Sequence, residues 1–299
     1  MTTLRPKIGL ATFEGRPELT PDDAFLAVAL QERGVAVVVQ PWSGPFATWV
    51  GCDAVVIRSC WDYHLRLGSF LDWISALEGE GVRVCNRGSL IRWNASKSYL
   101  RELAGRGIPV VPTVWVDEGD CGPLRAVLEK SGWDAAVVKP AVSASAHGLW
   151  RTTLDSAERD ESRYRELRRG GLVMVQPFLS EIERDGEWSL VFLGGRYSHA
   201  VVKRPKPGDF RVQDQHGGTR EPALPDVAVI EAAARVANAA PEIPAYARID
   251  GCLVEGKFLL MELELIEPEL FLTTRSGAAS LLADLLTRQA QPARESVRA

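Results

Sequence analysis

The sequence predicts an α/β amino-terminal domain built on a parallel sheet, followed by α+β regions that contain antiparallel hairpins. Between residues 7 and 90, short apolar runs alternate with helical patterns, which is typical of a parallel sheet covered by helices. This alternation stops between Asn86 and Asn94, where we place a domain boundary. Further along, Gly194-Gly195 and Glu255-Gly256-Lys257 each separate two apolar runs, and such short turns indicate β-hairpins.

The amino-terminal part is expected to contain four strands and two helices. The strands are predicted at Lys7 to Phe13, Val35 to Gln40, Asp53 to Ser59 and Val82 to Cys85. The first helix should begin at Thr20, whose hydroxyl can cap it. Its apolar stripe is predicted to be Phe25, Val28 and Ala29. The second helix is predicted at Leu67 to Leu77.

The loop that follows the third strand is a candidate ligand pocket. In parallel sheets, ligands bind beyond the carboxyl ends of the strands, and this loop lies at such an end. It contains Trp61, Asp62 and Tyr63, and Arg58 precedes it in the strand. Charged and aromatic side chains that converge favour a small-molecule pocket, and a packed aromatic corner is the alternative.

Two lysines lie where an anion would stabilise them. Lys97 is predicted in the first turn of a helix that runs to about Ala104, where a cation opposes the helix dipole unless an anion lies nearby. A solvated lysine is the alternative. Lys139 ends the apolar strand that begins at Ala135, and a lysine leaving a buried strand requires an anionic partner. The small-residue loop from Ala141 to Gly148 follows, and such loops can close over phosphates.

The remaining elements are predicted from apolar runs and turns. They are strands at Val110 to Val116 and Leu172 to Gln176, a helix at Ser156 to Arg169, a hairpin of Glu187 to Phe192 with Tyr197 to Lys203, and a helix over residues 225 to 240. A long polar loop between Arg204 and Gly218 contains Arg211 and His216. Since structureless loops of this length are usually functional or disordered, we expect it to cover a substrate.

The hairpin from Ala245 to Pro268 carries an acidic cluster. If the turn centres on its glycine, Asp250 faces Glu262 on one side of the ribbon. Arg248 then faces Glu264 on the same side. Three carboxylates this close repel one another unless a cation lies between them, and hard oxygen ligands suit Mg²⁺. The alternative is a half-exposed strand with glutamates on its solvated side.

The other side of the second hairpin strand is predicted to pack in the core. It carries Met261, Leu263 and Leu265. A turn one residue shorter would place Met261 opposite Asp250 and would break the acidic cluster.

Composition excludes several classes of function. The chain of 299 residues is long enough for two or three domains, and its net charge of −4 argues against nucleic acid as a partner. No apolar run reaches spanning length and no signal-peptide core is present, so we expect a cytoplasmic protein without a membrane partner. The five scattered cysteines form no CxxC pair, which indicates reduced thiols.

Taken together, these motifs resemble the ATP-grasp superfamily, which includes D-alanine–D-alanine ligase and glutathione synthetase. The resemblance covers the whole chain and implies the ATP-grasp fold. Its parts would be an amino-terminal parallel-sheet domain at residues 1–92, a central lid domain at 93–175 and a carboxy-terminal antiparallel-sheet domain with the metal site at 176–299. It further implies ATP and Mg²⁺ as cofactors, an amino-acid-like small-molecule substrate, and ADP-forming C–N ligation. Related ligases are often homodimers.

The resemblance also implies roles for individual residues. The nucleotide would be bound by Lys97, Lys139, Ser143, Ser145, Gly148, Gln176, Phe178, Leu179 and Glu187. Glu181 and Glu183 compete with Glu187 for the ribose. The metal ligands would be Asp250, Glu262 and Glu264, although the family usually has Glu-x-Asn where this chain has Glu262-Leu-Glu264. The catalytic residues would be Arg248, Arg211 and Lys203, and the substrate would contact Arg58, Trp61, Asp62, Tyr63, His216 and Gly217.

Three pieces of the chain, IRSCWDYH, IRWNASKSYL and VVPTVWV, resemble a smaller subgroup, the D-cycloserine synthetases. This resemblance implies O-ureido-D-serine as the substrate. Its carboxylate would become an acyl phosphate, and the nitrogen on the ether oxygen would close the ring, with loss of carbon dioxide and ammonia. Two alternatives stay open: an intermolecular ligase of the glutathione synthetase or D-alanine–D-alanine ligase type, and an ATP-binding sensor without chemistry.

Overall fold

A computed structural model describes residues 5–117 and 122–290 of the chain. Within these residues the backbone forms three β-sheets with flanking helices. The first sheet is parallel and the other two are antiparallel, which confirms the predicted combination of α/β and α+β architecture. One large cavity lies where elements attached to the three sheets meet.

The parallel sheet has the strand order β2-β1-β3-β4. Its strands are β1 (Lys7–Thr12), β2 (Ala36–Pro41), β3 (Ala54–Ile57) and β4 (Arg83–Cys85), and the helices between them are α1 (Pro21–Glu32), α2 (Ala47–Val50) and α3 (Leu67–Gly79). A 3₁₀ turn over Tyr63–Arg66 precedes α3. The predicted strands and helices of this region are confirmed, with ends shifted by one or two residues.

Helix α1 begins as predicted but buries a different face. The Thr20 hydroxyl accepts a hydrogen bond from the backbone N–H of Asp23 at 3.0 Å, which caps the first turn. The predicted stripe is wrong at two positions, because Phe25 and Val28 are 57% and 54% exposed. Leu26 is fully buried instead, since α1 packs the neighbouring face against the sheet and the last helix.

Two short helices lead to the central sheet, whose order is β5-β8-β6-β7 with antiparallel pairing throughout. The helices are α4 (Gly88–Asn94) and α5 (Tyr99–Gly105), and the sheet contains β5 (Val114–Val116), β6 (Ala135–Pro140), β7 (Trp150–Thr153) and β8 (Val173–Pro177) with helices α6 (Leu124–Ser131) and α7 (Ala157–Arg169). Lys97 does not lie in a helical first turn, contrary to the prediction, because it belongs to the turn between α4 and α5. Its backbone N–H donates to the carbonyl of Ala141 at 2.8 Å.

The third sheet has the order β11-β10-β9-β12-β13 and is antiparallel. Its strands are β9 (Glu187–Leu193), β10 (Arg196–Arg204), β11 (Thr219–Ala223), β12 (Tyr246–Val254) and β13 (Lys257–Glu264), and its helices are α8 (Ser180–Arg184), α9 (Val227–Asn238) and α10 (Ala278–Ala290). Both predicted hairpins are confirmed. Gly194 and Gly195 have φ angles of 58° and 76°, which the tight turn between β9 and β10 requires.

The turn of the β12–β13 hairpin is one residue shorter than predicted. It consists of Glu255 and Gly256, whose φ angles of 50° and 75° suit a two-residue hairpin turn. Continued without interruption, this register would place Met261 opposite Asp250 and would turn the second strand over.

A β-bulge restores the predicted register. The bulge falls between Asp250 and Gly251, and beyond it Asp250 faces Glu262 and Arg248 faces Glu264. Gly251 leaves room for this distortion, because a Cβ atom there would lie 2.5 Å from a backbone oxygen of the facing strand. The acidic cluster therefore forms as predicted, through a shorter turn combined with one extra residue.

Buried hydrogen bonds attach the parallel sheet to the third sheet. Asn86, directly after β4, donates from its side-chain amide to the carbonyls of Tyr246 at 2.9 Å and Leu265 at 2.8 Å. The Tyr246 hydroxyl lies 2.9 Å from the carbonyl oxygens of Ile57 and Cys85. The carboxyl ends of β3 and β4 are therefore occupied by protein groups of the third sheet.

The cysteine side chains within the described ranges, at positions 52, 60, 85 and 252, are buried and unpaired. Cys121 lies outside the described residues. Over residues 5–117 and 122–290, no helix is both long and apolar enough to cross a membrane.

Candidate active site

A cavity of about 510 Å³ lies between the three sheets, a size suited to small-molecule ligands. Its charged lining residues are Arg16, Lys97, Lys139, Glu187, Lys203, Asp214, Arg220, Arg248, Asp250, Glu262, Glu264, Glu267 and Glu269. Trp61 and Tyr63 contribute aromatic surface from the amino-terminal part. Because charges of both signs face one volume, their pairing decides what the cavity can bind.

Arg248 on β12 holds two of these carboxylates. Its guanidinium forms a bidentate ion pair with Asp250, with Nη2–Oδ2 at 2.9 Å and Nε–Oδ1 at 3.0 Å. It also contacts the carboxylate of Glu264. Burial favours the neutral form, but the charges of Asp250 and Glu264 outweigh burial and raise the pKa of Arg248. Arg248 is thus a permanent cation at the centre of the acidic cluster.

Lys203 on β10 joins Glu187 to Asp250. Its ammonium lies 2.5 Å from Oε1 of Glu187 and 3.5 Å from Oδ2 of Asp250. The hydroxyl of Ser189 donates to Oδ1 of Asp250 at 2.5 Å, so both oxygens of Asp250 accept hydrogen bonds. Against the effect of burial, the charges of Arg248 and Lys203 lower the pKa of Asp250. Asp250 is therefore an anion that protein donors already surround.

Lys97 connects β13 to the loop after β6. Its ammonium lies 3.0 Å from Oε1 of Glu262 and donates to the carbonyl oxygen of Ser143 at 2.7 Å. Ser143 is buried, and its hydroxyl lies 3.2 Å from the same ammonium. Lys97 therefore draws the small-residue loop toward the acidic hairpin.

Lys139, near the end of β6, forms no ion pair with any described residue, although only 7% of it is exposed. Burial lowers the pKa of its ammonium to about 8, and the charge of Glu262 offsets only part of this effect. Because a buried cation without a partner is costly, the position favours an anionic ligand.

Among the carboxylates, Glu267 is the counterpart of Lys139, and it lies shortly after the end of β13 at Glu264. It is 9% exposed and has no hydrogen bond or ion pair from its side chain to another described residue. Burial raises its pKa to about 8, and the nearby charge of Glu262 adds to the shift. The position therefore favours a cationic ligand group, as that of Lys139 favours an anionic one.

A smaller cavity of about 80 Å³ shares Lys139, Glu187 and Met261 with the large one. Its mainly apolar walls include Val111, Val137, Leu149, Gln176, Pro177, Phe178, Leu179, Ile182 and Phe210. The guanidinium carbon of Arg151 lies 3.8 Å from the centre of the Phe178 ring and fixes one wall. A flat apolar group can therefore occupy this slot while attached anionic groups reach Lys139.

Two loops cover the large cavity. In the small-residue loop after β6, Ser145 and Ala146 have φ angles of 53° and 58°, which residues other than glycine seldom adopt. Gln215 of the long loop donates from its side-chain amide to the carbonyl of Ser145 at 3.0 Å. The two loops are therefore in contact above the cavity.

The structure brings most of the predicted site residues together. Those that line the large cavity are Trp61, Tyr63, Lys97, Lys139, Ser143, Ser145, Glu187, Lys203, Arg248, Asp250, Glu262 and Glu264. Those that line only the small cavity are Gln176, Phe178, Leu179 and Arg211. Glu181 and Glu183 line neither cavity, and neither does Gly148.

Arg58 and Asp62 line neither of these two cavities, which corrects their predicted place in a substrate pocket. Arg58 is 2% exposed and forms an ion pair with Asp23 at 2.7 Å. Asp62 accepts a hydrogen bond from the indole of Trp42 at 2.8 Å and pairs with Arg66 at 2.9 Å. Both charges are therefore paired, and the members of this loop that line the large cavity are the aromatic Trp61 and Tyr63.

The long loop contributes different residues from those predicted. Arg211 pairs with Asp209 of its own loop at 2.8 Å and reaches only the small cavity. His216 and Gly217 line neither cavity. The loop residues that face the large cavity are Val212, Gln213, Asp214 and Gln215.

Met261 is another correction, because it lines both cavities and does not pack in the core. The bulge turns Met261 to the same side as Glu262. Leu263 and Leu265 are buried, as predicted.

The three predicted metal ligands share one wall but do not surround one point. Within residues 5–117 and 122–290, no three acidic, histidine or cysteine side chains are arranged to hold a metal ion. Arg248 lies between Asp250 and Glu264, and Lys97 contacts Glu262. Because Glu262 and Glu264 each use Oε1 for these contacts and their side chains are 29% and 23% exposed, hard oxygen donors remain open to the cavity.

Sequence reasoning missed five charged residues of the cavity: Arg16, Asp214, Arg220, Glu267 and Glu269. Arg220 lies on β11, an unpredicted strand, and pairs with Glu269 at 2.5 Å. Glu267 and Glu269 repeat the two-residue spacing of Glu262 and Glu264, but they are displaced by one position because Ile266 interrupts the alternation. A second pair of acids so soon after the first is the signal that could have identified them.

Comparison with a solved structure identifies the fold of this protein. The fold resembles that of a RimK-domain ATP-grasp protein from Sphaerobacter thermophilus, with a TM-score of 0.70 and 17% identity over 93% of this chain and 98% of the other. The three-sheet architecture is therefore the ATP-grasp fold, as predicted.

The relationship is closer to one family within this fold. Residues 8–86 match the family model described as D-cycloserine synthetase DcsG, N-terminal domain. The crystal structure of D-cycloserine synthetase DcsG has a TM-score of 0.84 and 28% identity, covering 95% of this chain and 100% of that one. The cycloserine biosynthesis protein DcsG of Streptomyces lavendulae is 31% identical over 284 residues, which is 89% of this chain and 93% of the relative. The chain belongs to the DcsG family of ATP-dependent ligases.

Proposed function

We propose that this protein closes the ring of D-cycloserine from O-ureido-D-serine at the expense of ATP. The observation that carries the proposal is its likeness to DcsG over nearly the full length of both chains. The cavity supports it, because an unpaired lysine, an acidic hairpin and an apolar slot adjoin one another there. No second pocket for a separate amine is needed when the nucleophile belongs to the same molecule.

The small cavity is the proposed site of the adenine ring. The ring of Phe178 offers a flat apolar surface and Leu179 an aliphatic contact, and Arg151 packs against Phe178. The phosphates would then extend past Lys139 toward Lys97, into the large cavity. For Lys139 the phosphates would supply the missing anionic partner, and this would restore its full charge.

Mg²⁺ fits the donor set of the hairpin. Glu262 and Glu264 would hold it, because each keeps a carboxylate oxygen open to the cavity. Asp250 would join them only after its bonds to Arg248 and Ser189 loosen. When bound, the ion would supply positive charge that screens the phosphates from the substrate carboxylate.

The proposed reaction has three balanced steps. The substrate carboxylate attacks the γ-phosphorus of ATP, forming an acyl phosphate and releasing ADP. The nitrogen bonded to the ether oxygen then attacks the acyl carbon, loses its proton and expels phosphate. One water molecule removes the carbamoyl group as carbon dioxide and ammonia. Arg248 is the proposed stabiliser of the oxygen charge that develops in the first two steps, since guanidinium geometry suits phosphoryl and acyl oxygens.

The covering loops would keep water from the acyl phosphate. Gln215 and Ser145 connect the long loop to the small-residue loop over the cavity. Exclusion of water at this stage favours ring closure over hydrolysis of the activated carboxylate.

The test is turnover of purified protein with Mg-ATP and O-ureido-D-serine. ADP is measured by a coupled assay, and cycloserine by mass spectrometry. We expect both products in equal amounts, and Glu262→Gln should remove the activity while the fold, followed by circular dichroism, is kept. ADP formation that requires a separately added amine would support an intermolecular ligase instead, and the absence of ADP with every carboxylate tested would refute the enzyme assignment.

A further inference from the structure

The ion pairs of the large cavity leave one acid without a partner. All other lining carboxylates contact a lysine or arginine: Glu187 with Lys203, Asp214 and Glu269 with Arg220, Asp250 and Glu264 with Arg248, and Glu262 with Lys97. Glu267 alone among these lining acids has no such contact within the described residues. Since only 9% of the residue is exposed and it lines the cavity, a cationic ligand group in the cavity is the partner that its position favours.

The surroundings of Glu267 place it beside the acyl-transfer end of the cavity. The pKa of its carboxyl group responds to the charges of Glu262, Lys97 and Arg248. In the proposed function, Glu262 binds the metal, Lys97 the phosphates and Arg248 the developing oxygen charge. It is also close enough to Tyr63 to raise the pKa of that phenol, behind the larger effect of burial. Glu267 therefore lines the same cavity as the proposed phosphoryl-binding residues and the aromatic loop of the amino-terminal part.

We infer that Glu267 binds the α-ammonium group of the amino-acid substrate and selects substrates that carry it. The inference rests on the proposed function, because it needs the substrate carboxylate at the hairpin. In an α-amino acid the ammonium group is attached to the carbon next to the carboxylate. The acid that receives it must therefore border the residues that receive the transferred phosphoryl group, as Glu267 does.

A role as metal ligand fits Glu267 less well. Glu262 and Glu264 point from β13 with open oxygens, whereas Glu267 follows the strand after Ile266, which is 1% exposed. A role as general base for the nitrogen nucleophile would make loss of Glu267 equally harmful for every substrate that closes a ring. Ammonium binding instead makes the loss depend on the amine, and this difference can be measured.

The experiment compares O-ureido-D-serine with its analogue that lacks the amino group, 3-(ureidooxy)propanoic acid. ADP release gives kcat/KM for both compounds with the wild-type protein and with Glu267→Gln. The wild-type protein should prefer the amine-bearing substrate by roughly 10- to 100-fold, the range expected for one charged hydrogen bond. In Glu267→Gln this preference should fall to within about threefold of unity, mainly through KM.

Two further variants make the result specific. Glu267→Asp keeps the charge and should keep most of the preference. Glu269→Gln removes a neighbouring carboxylate that Arg220 already neutralises, and the preference should remain whatever happens to the rate. An unchanged preference in Glu267→Gln would overturn the inference. If it came with equal losses of kcat/KM on both compounds, it would favour the general-base role.

Failure of the proposed function would look different. In that case the wild-type protein would release no ADP with O-ureido-D-serine. The same comparison is then made with whichever amino-acid carboxylate supports ADP release, paired with its deaminated analogue. Loss of the amine preference in Glu267→Gln would still uphold the inference for that substrate.

Discussion

Raising the pH should weaken ATP binding through a single residue, Lys139. Its ammonium has a pKa of about 8 in the free protein because it is buried without an ion pair. Phosphates next to it would restore the pKa to near its ordinary value of 10.5 or above. ATP then binds the protonated form, and the affinity is constant below pH 8 and falls about tenfold per pH unit above it.

The size of the effect follows from these two pKa values. Between about pH 7.5 and about pH 9.5, the protonated fraction of free Lys139 falls from roughly three quarters to a few per cent. The dissociation constant of a non-hydrolysable ATP analogue should therefore rise roughly twentyfold over this interval. Isothermal titration calorimetry in the presence of Mg²⁺ measures it directly, and heats in buffers of different ionisation enthalpy count the proton taken up.

A matched variant separates Lys139 from other groups that titrate nearby, above all Glu267. Lys139→Arg stays charged throughout this range and should flatten the pH dependence. Folding stability of the ATP-free protein responds to pH in the opposite direction from ATP affinity. Because burial lowers the pKa of Lys139, the unfolded chain holds the proton more tightly, and the contribution of Lys139 to stability rises between about pH 8 and about pH 10.5. A flat dissociation constant for the wild-type protein, or the same slope in Lys139→Arg, would refute this reasoning.

Three further predictions concern the hairpin and the corrected arginine. Gly251→Ala should lower the free energy of unfolding by about 1–3 kcal/mol and reduce activity, because the new methyl group would lie 2.5 Å from a backbone oxygen. Thermal unfolding measures this loss. Gly79→Ala, at an open helical position, is the control and should show no loss. Glu264→Gln should raise the Mg²⁺ concentration for half-maximal activity several-fold if Glu264 holds the ion, whereas an unchanged metal titration would remove it from the ligand set. Arg58→Met should lower the free energy of unfolding by about 3–5 kcal/mol, because it leaves the buried carboxylate of Asp23 without its ion-pair partner. Urea unfolding should show that loss, and Asp23→Asn in the same chain should recover part of it; full stability with weakened substrate binding would contradict the structural role.

Local sequence patterns predicted the elements of this fold well. The alternation up to residue 90, the cap at Thr20 and the turns at Gly194 and Gly256 all depend on residues close together in the chain. The prediction that Lys97 lies in the first turn of a helix is wrong, because the same cap-like sequence forms a turn between two helices. Its proximity to Ser143 and Glu262 comes from the packing of three separate elements, which no local pattern specifies.

Burial of charge was harder to predict than secondary structure. Arg58 ends a strand at the edge where parallel sheets bind ligands, so the prediction of a pocket was reasonable. The third sheet covers that edge, and Arg58 meets Asp23 and the ring of Tyr246 instead. A residue at a strand end is thus a site or a core residue according to what packs over it, and the covering strand β12 lies far along the chain.

The bulge in the hairpin shows how a rule of register can fail while its conclusion holds. The strict alternation of a strand would allow either Met261 or Glu262 to face the ligand, but not both. With the extra residue, Met261 lines both cavities and Glu262 lines the large one, while Leu263 packs in the core. In the proposed function, an apolar contact for the nucleotide and an oxygen donor for its metal would therefore come from neighbouring residues. Gly251 allows this arrangement, because any side chain on it would collide with the facing strand at the point where the register changes.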